Sequence, residues 1–508
     1  MFCQLVYLRR CIPGRIRRAL DELPETLDET YTRTLKEIDE QNWEYAHRLF
    51  QCVAAASRPL LVTELAEFLA FNFEAGSTPV LLADWRPEDP TYAVMSLCSS
   101  LLAVVKPHSG SPVVQFAHFS VKEYLTSARL VKEKDTISRF RVSMVAAHTI
   151  VAQACLGVLL HLDENITKDS LDDFPLADYA AEHWVGHARF DNVSSKVQDE
   201  MKRLFDPSES HHSVWLWVYD PEDSWRRFWV LERPEKARAT PLHYATFCGI
   251  YDVVAFLIVE RSQDVNAQGF KKKETPLHVA SRRGHADVAQ LLLEHGADTE
   301  TRSEDNNRTS LLLASQGGHV EVTRVLLKHG ADMGARDGRT WSPLERASEG
   351  SHVEVARVLL EHGADVEAQD PVNRTPLYFA LGEDVARLLI KHGADAKAPG
   401  NRLNHWTPLH HASVSGRVGV VRVLLEHGAD ANSRAANNAT PLDLASRKGY
   451  SDVVRLLLQY SSDIHTRDNK RSDSIHNGRG CRGRGGGSPR SDYADGLGDF
   501  VSERLSLT

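Results

Sequence analysis

Histidine and cysteine are the side chains with the most chemistry to offer in this sequence, which holds 24 of the first and seven of the second. Gathered together they would bind a metal, and a histidine beside an acid would move protons. The spacing argues against both. Cys3, Cys11, Cys52, Cys98, Cys155, Cys248 and Cys481 are far apart, odd in number and without a CxxC pair. That pattern fits reduced thiols in the cytoplasm or nucleus, not a zinc site or a disulfide frame. Cys155 and Cys248 fall in apolar stretches and are expected to be inert core thiols. The pairs His211-His212 and His410-His411 are adjacent in sequence, which does not put two rings on one helix face. GxSxG, HExxH, HRD with DFG, and GxGxxG after a strand do not occur. No Gly-Lys dipeptide occurs either, so there is no GxxxxGK[ST] loop to cradle a triphosphate. The expectation is a chain with no catalytic residue, cofactor, metal or small-molecule substrate.

Many of the histidines recur at a fixed period, and that period organises the C-terminal half. Seven segments start with a version of Thr-Pro-Leu-His, at Thr240, Thr275, Thr309, Ser342, Thr375, Thr407 and Thr440. The intervals are 32 to 35 residues, with leucine two and alanine five positions after each start. Thr or Ser caps a helix by accepting a bond from an orphan amide. Proline is pre-set for the first helical position. The leucine supplies core, and the alanine lets stacked helices approach. An apolar run follows, as in Leu291-Leu292-Leu293, and then His-Gly-Ala-Asp at His295, His329, His362, His392 and His427. Glycine there suits a left-handed helix end, and histidine in the last turn suits the helix dipole.

On these residues the stretch from about 236 to 468 is identified as an array of ankyrin repeats, each two antiparallel helices and a hairpin-like loop. The fold class expected is mainly α: an ankyrin-repeat α-solenoid preceded by a winged-helix-like domain and a helical spacer. The resemblance implies recognition of a protein partner through hairpin tips and the inner helices of the concave face. Candidate contacts before each motif are Lys271, Lys272, Arg339, Trp341, Asn373, Asn404, Trp406 and Asn438, the two tryptophans having the character of binding hot spots. The fifth repeat departs from the pattern. Thr375 to Gly393 spans 18 residues where its neighbours take 21, and a weak repeat there is expected to act as a hinge.

The N-terminal half carries less regular signals. Leu27, Tyr31, Leu35 and Ile38 have helical spacing, and residues 43–73 read as two or three more helices. Two short strands, Leu101–Val105 and Val113–His118, are separated by Pro107, Gly110 and Pro112. Helices followed by a hairpin is the order of a winged helix. The 21 residues from Val142 to Leu162 carry no formal charge and could span a bilayer. Their Ser143, His148, Thr149, Gln153 and His161 favour a buried helix, so no membrane span is expected. Residues 131–235 read as a helical spacer. Trp215, Trp217, Trp225 and Trp229, beside Tyr219 and Phe228, are expected to cover the open end of the first repeat.

Leu23-Pro24-Glu25-Thr26-Leu27-Asp28-Glu29-Thr30-Tyr31 and Phe116-Ala117-His118-Phe119-Ser120-Val121-Lys122-Glu123-Tyr124-Leu125 resemble stretches of fungal NACHT–ankyrin proteins, which are NLR-like signalling ATPases. The resemblance implies a helical segment over 1–45 that follows the nucleotidase, a winged-helix-like domain over 46–130, the spacer over 131–235, repeats over 236–468 and a tail over 469–508. The family's nucleotidase would lie upstream of Met1. The chain is therefore expected to be the regulatory and sensor half of such a protein, either as a genuine short paralogue or as a truncated gene model.

Charge bounds the alternatives. A net charge of -9 is not that of a dedicated nucleic-acid binder. Arg467–Arg490 is locally basic and rich in Arg-Gly, and is expected to be a solvated, disordered tail. Nucleic-acid binding by winged helix and tail ranks behind a nucleotide-dependent switch working with a separate ATPase, and both rank behind protein binding. Arg9, Arg10, Arg15, Arg17 and Arg18 resemble a mitochondrial presequence, but an exposed basic helix face is expected and the location is cytoplasmic or nuclear.

Overall fold

A computed structural model describes residues 26–73, 79–98, 100–107, 110–128, 130, 136–222 and 238–472. The basic N-terminal stretch, Trp225, Phe228, Trp229 and most of the Arg-Gly tail lie outside the described residues.

Helix α1 (Leu27–Lys36) begins at a reciprocal cap, in which Thr26 Oγ1 accepts from the Glu29 N–H and the Glu29 carboxylate accepts from the Thr26 N–H. Its Tyr31 and Leu35 are buried, whereas Leu27 is 47% exposed. Helix α2 (Trp43–Ala55), strand β1 (Leu60–Leu61) and helix α3 (Val62–Glu67) follow. Then come strands β2 (Phe71–Asn72) and β3 (Val80–Leu81), helix α4 (Pro90–Cys98), and strands β4 (Leu102–Val105) and β5 (Val113–Phe116). The sheet order is β1-β5-β4, all antiparallel, with Leu60 opposite Val114 and Leu102 opposite Phe116. Helix α5 (Phe119–Thr126) returns to α1. There the Tyr31 hydroxyl bonds Ser120 Oγ at 2.7 Å and Thr32 bonds the Tyr124 hydroxyl at 2.7 Å. The two stretches that carried the family resemblance are thus packed on one another.

Helix α6 (Met144–His161) is long and apolar enough to cross a membrane by length and composition, and half of it is buried inside the protein. It packs against α2 and α8 (Ala177–Ala188). It also lies close against β2, where a Cβ on Gly157 would lie 2.9 Å from the Phe71 ring. The short α7 (Lys168–Leu171) precedes α8, and α9 (Gln198–Phe205) and α10 (His211–Val218) follow it. Trp184, Phe205 and Trp215 form a buried aromatic group. The Trp215 indole N–H donates to the Ala181 carbonyl at 2.9 Å, which satisfies its one polar atom.

The described residues from 238 to 472 form seven helix pairs: Pro241–Cys248 with Tyr251–Val259, Pro276–Arg283 with Ala286–Glu294, Ser310–Gly317 with Val320–Lys328, Pro343–Glu349 with Val353–Glu361, Pro376–Phe379 with Glu383–Lys391, Pro408–Val414 with Val418–Glu426, and Pro441–Lys448 with Ser451–Ser472. Each first helix packs on the first helix of the next pair, and each second helix on the next second helix. All seven motif alanines are buried, from Ala245 to Ala445. Six of the seven motif leucines are buried too, each contributing about 1.5–3 kcal/mol. The exception, Leu442, is half-buried and stands in the last described pair. The final helix runs to Ser472, past the boundary at 468 expected from the motif.

His212 and Trp215 of α10 stack edge-on against Tyr244 in the first repeat, with ring centroids at 5.3 and 6.3 Å. Arg261 adds a two-pronged bond to Asp206, at 3.0 and 2.5 Å. That pair holds the Asp206 carboxyl well below the usual carboxylate range.

Candidate protein-binding surface of the repeat array

Backbone bonds link the hairpins at the start of the repeats in two runs, first to fourth and fifth to seventh; among the described residues none joins the fourth to the fifth, where Pro371 has no N–H to give. The Glu304 N–H donates to the Lys272 carbonyl at 2.8 Å, Arg402 N–H to Val372 at 2.9 Å, and Ala436 N–H to Asn404 at 2.9 Å. Both runs are fixed before any partner arrives.

Histidines sew the helices beneath them. In the motif, the Thr275 N–H donates to His278 Nδ1 at 3.1 Å, so Nε2 carries the proton and donates to the Arg308 carbonyl of the next hairpin at 3.0 Å. His410 does the same towards Ala439 at 3.2 Å, and His243 Nε2 reaches Glu274 at 2.9 Å. A second set points backwards. His285, His319 and His352 bond the Phe247, Arg282 and Gln316 carbonyls of the preceding repeat at 3.3, 3.1 and 3.0 Å. His319 lies over Gly284, whose φ is +79°; a Cβ there would meet the ring at 2.5 Å. A third set caps its own helix: Nδ1 of His295, His329, His362 and His427 donates to the carbonyl four residues back at 2.8–3.0 Å. Burial lowers the pKa of His243 to about 4 and pulls His278 and His410 down as well. These rings are neutral bonds between repeats. Among the described residues no group of three His, Cys, Asp or Glu could hold a metal ion. Cys52, Cys155 and Cys248 are buried free thiols, and burial pushes Cys248 up to about 12.

The eight candidate contacts divide by environment. Lys271, Lys272, Arg339 and Asn438 are exposed; Lys272 lies 3.5 Å from Asp305 of the next hairpin. Asn373 and Asn438 have φ of +64° and +59°, a left-handed conformation that asparagine tolerates better than most residues. Asn404 Oδ1 accepts from the Trp406 N–H at 3.1 Å and shapes its own turn. Trp341 and Trp406 are half-buried. The Trp341 ring sits 4.4 Å from Phe379 and 4.3 Å from the Arg346 guanidinium. Trp406 packs on Ala435, Ala439 and Leu444. Both tryptophans therefore have a packing role between repeats, whatever they offer a partner.

The motif spacing did not single out Glu345, which stands where the first, second and sixth repeats hold the stitching histidine and the third, fifth and seventh hold Leu312, Tyr378 and Asp443. Glu345 is fully buried, its Oε2 accepts from the Ser342 N–H, and Arg336 lies 3.4 Å away. Its Oε1 has no hydrogen-bond partner among the described residues. Burial pushes its carboxyl up to about 7.

Known proteins place this array. A model for tandem ankyrin repeats matches residues 267–337, 301–370, 335–400 and 396–468, and a single ankyrin-repeat model matches 238–270. A curated relative, azaphilone pigments biosynthesis cluster protein L of Monascus ruber, is 30% identical over 288 residues, which is 53% of this chain and 59% of the relative. The chain thus spans well under two thirds of that relative's length. Solved structures similar to it include the human ASB11 ankyrin repeat domain (30% identity, 44% of this chain, 97% of that one, TM-score 0.40). The ankyrin repeat domain of Bcl-3, of the IkappaB protein family, matches at 30% identity over 43% of this chain and 100% of that one, with TM-score 0.37. From residue 238 to 468 the chain is an array of ankyrin repeats, and as such it is a protein–protein interaction module.

Proposed function

We propose that the chain is a non-catalytic binding protein whose ankyrin array grips a polypeptide, and that it serves as the sensor or regulatory half of an NLR-like signalling system. The observation that carries the binding role is the two backbone-linked runs of hairpins, which present exposed Lys271, Lys272 and Arg339 in the first and Asn438 in the second. A preformed surface binds without the entropy cost of ordering it, and an array of this length can supply the roughly 1,200–2,000 Å² of a standard interface. The regulatory role draws support from the N-terminal half. Its helices and three-stranded β1-β5-β4 sheet follow a winged-helix order, and α1 and α5, which bear the NACHT–ankyrin-like stretches, pack together. The Monascus ruber relative takes its name from a biosynthetic cluster, which suits a regulator and requires no catalysis by this chain.

Affinity capture with the full chain tests the binding role. A partner held by the wild type should be lost when Lys271, Lys272 and Arg339 are together changed to glutamate, with the melting temperature unchanged. Equal recovery by that variant would remove the first run of hairpins from the interface.

A further inference from the structure

A second row of bonds joins the repeats at the loops that follow the second helices, and it is broken after the third repeat and again after the fifth, where Lys397 offers no acceptor and nothing among the described residues accepts from the Asp430 N–H. In the first repeat the Asn266 amide bridges to the second: Oδ1 accepts from the Asp298 N–H at 2.9 Å, and Nδ2 donates to the Gly296 carbonyl at 3.1 Å. Glu300 Oε1 accepts from the Asp332 N–H at 2.9 Å, and Glu367 Oε1 from the Asp395 N–H at 2.7 Å. The equivalent residue of the third repeat is Gly334, which has no side chain to offer. Among the described residues nothing accepts from the Asp365 N–H. A cavity of about 260 Å³ occupies this gap, with Gly334, Arg336, Leu344, Gly363 and Asp365 in its wall.

We infer that this cavity is a slot for a primary carboxamide, the side chain of an asparagine or glutamine on a bound polypeptide. The inference rests on the array being a protein-binding surface and says what one part of that surface reads. The occupant is defined by the intact junction. Asn266 shows an amide satisfying both backbone groups at once, and Asp365 N–H and the Gly363 carbonyl are their counterparts across the gap. Charge selects among possible occupants. The carboxylates of Asp332 and Asp365 stand at the slot, each held by its own turn through the Gly334 and Glu367 N–H groups at 2.8 and 2.9 Å. The Arg336 guanidinium is taken up by the Thr340 and Gln369 carbonyls at 2.7 and 3.0 Å. A neutral amide that both accepts and donates fits this setting; a carboxylate would face two like charges and could not donate to Gly363.

Gly334→Asn should fill the slot from within. Asn266 occupies the same position behind the same aspartate turn, at Asp264, and Gly334 has an unexceptional φ. A random peptide library displayed on phage and selected on the immobilised full chain tests the inference, with binders then measured on the wild type and on Gly334→Asn. The slot predicts a group of binders that share an asparagine or glutamine. They should bind Gly334→Asn about tenfold or more weakly, the loss of one or two well-made hydrogen bonds, and weaken similarly when that residue becomes Asp or Glu. The variant itself should melt no lower than the wild type. Binders that hold Gly334→Asn as well as the wild type, or share no amide residue, would overturn the slot while leaving protein binding by the array intact. A selection that yields no binder to the wild type would count against both.

Discussion

Histidine in this chain is structural at nearly every repeat, and its chemistry sets how stability depends on pH. His278 and His410 must be neutral, because Nδ1 accepts a backbone bond while Nε2 donates one. Their folded pKa values lie below the unfolded value near 6.5. The unfolded chain therefore takes up protons first as pH falls below about 6.5, and the array loses stability from there down towards pH 4, where His243 protonates in the folded state. Denaturant melts at pH 7.5, 6 and 5 should show a falling midpoint. Glu345 has the opposite sign. Its folded pKa is raised to about 7, so its contribution is present below about 4.5 and lost as pH rises through 7. Glu345→Gln should raise stability by on the order of 1–3 kcal/mol at pH 8 and by much less at pH 5, as read from urea midpoints. The histidine rows were visible in the sequence as a period. The meaning of Glu345 was not, since an acid at a histidine position becomes unusual only once burial around it is known.

At the scale of the element, local signals carried most of the information. Thr-Pro caps, buried alanines and left-handed glycines act within one turn of helix, so spacing alone marked the helix pairs. What spacing missed is what neighbours do to one another. Trp341 reads in sequence either as an anchor or as hairpin packing, and stacking of adjacent repeats puts its ring between Arg346 and Phe379. The fifth repeat shows the same effect. Its first helix, Pro376–Phe379, is a single turn, and aromatic contacts make up for the missing length. Tyr378 stacks on His411 at 4.6 Å and Phe379 meets Trp341 at 4.4 Å. Phe379→Ala should cost about 3–5 kcal/mol. Because an array is held by nearest-neighbour contacts, that loss should split unfolding into two steps, one on each side of the fifth repeat. A single cooperative transition in calorimetry would show that this repeat is no weak point. Hydrogen exchange in repeats four to six then tests the proposed hinge: faster exchange at residues 375–393 than on either side is expected.

Across the whole molecule, specific groups join the array to the N-terminal half. Tyr244 faces His212 and Trp215, and Arg261 grips Asp206. Asp206→Ala removes the acid from a half-exposed arginine and should cost about 0.5–2 kcal/mol. Tyr244→Ala should cost about 3–5 kcal/mol and lower the melting temperature of the full chain more than any single change in the last repeat. The sequence foretold an aromatic cover but not which rings would touch, since contacts between α10 and the first repeat span a stretch with no repeating pattern. Helix α6 makes the same point. Its composition suits a lipid or a protein interior equally, and only its packing against α2 and α8 distinguishes them.

A polypeptide should be held at the hairpins of the ankyrin array. Hydrogen–deuterium exchange of the full chain, alone and saturated with a captured partner or a selected peptide, tests it most directly. Protection should rise at the hairpins around residues 271–273, 338–341 and 436–439 and at the loop around 363–365, with α6 unchanged. Protection confined to residues 26–222, with the hairpins exchanging as in the free chain, would contradict it.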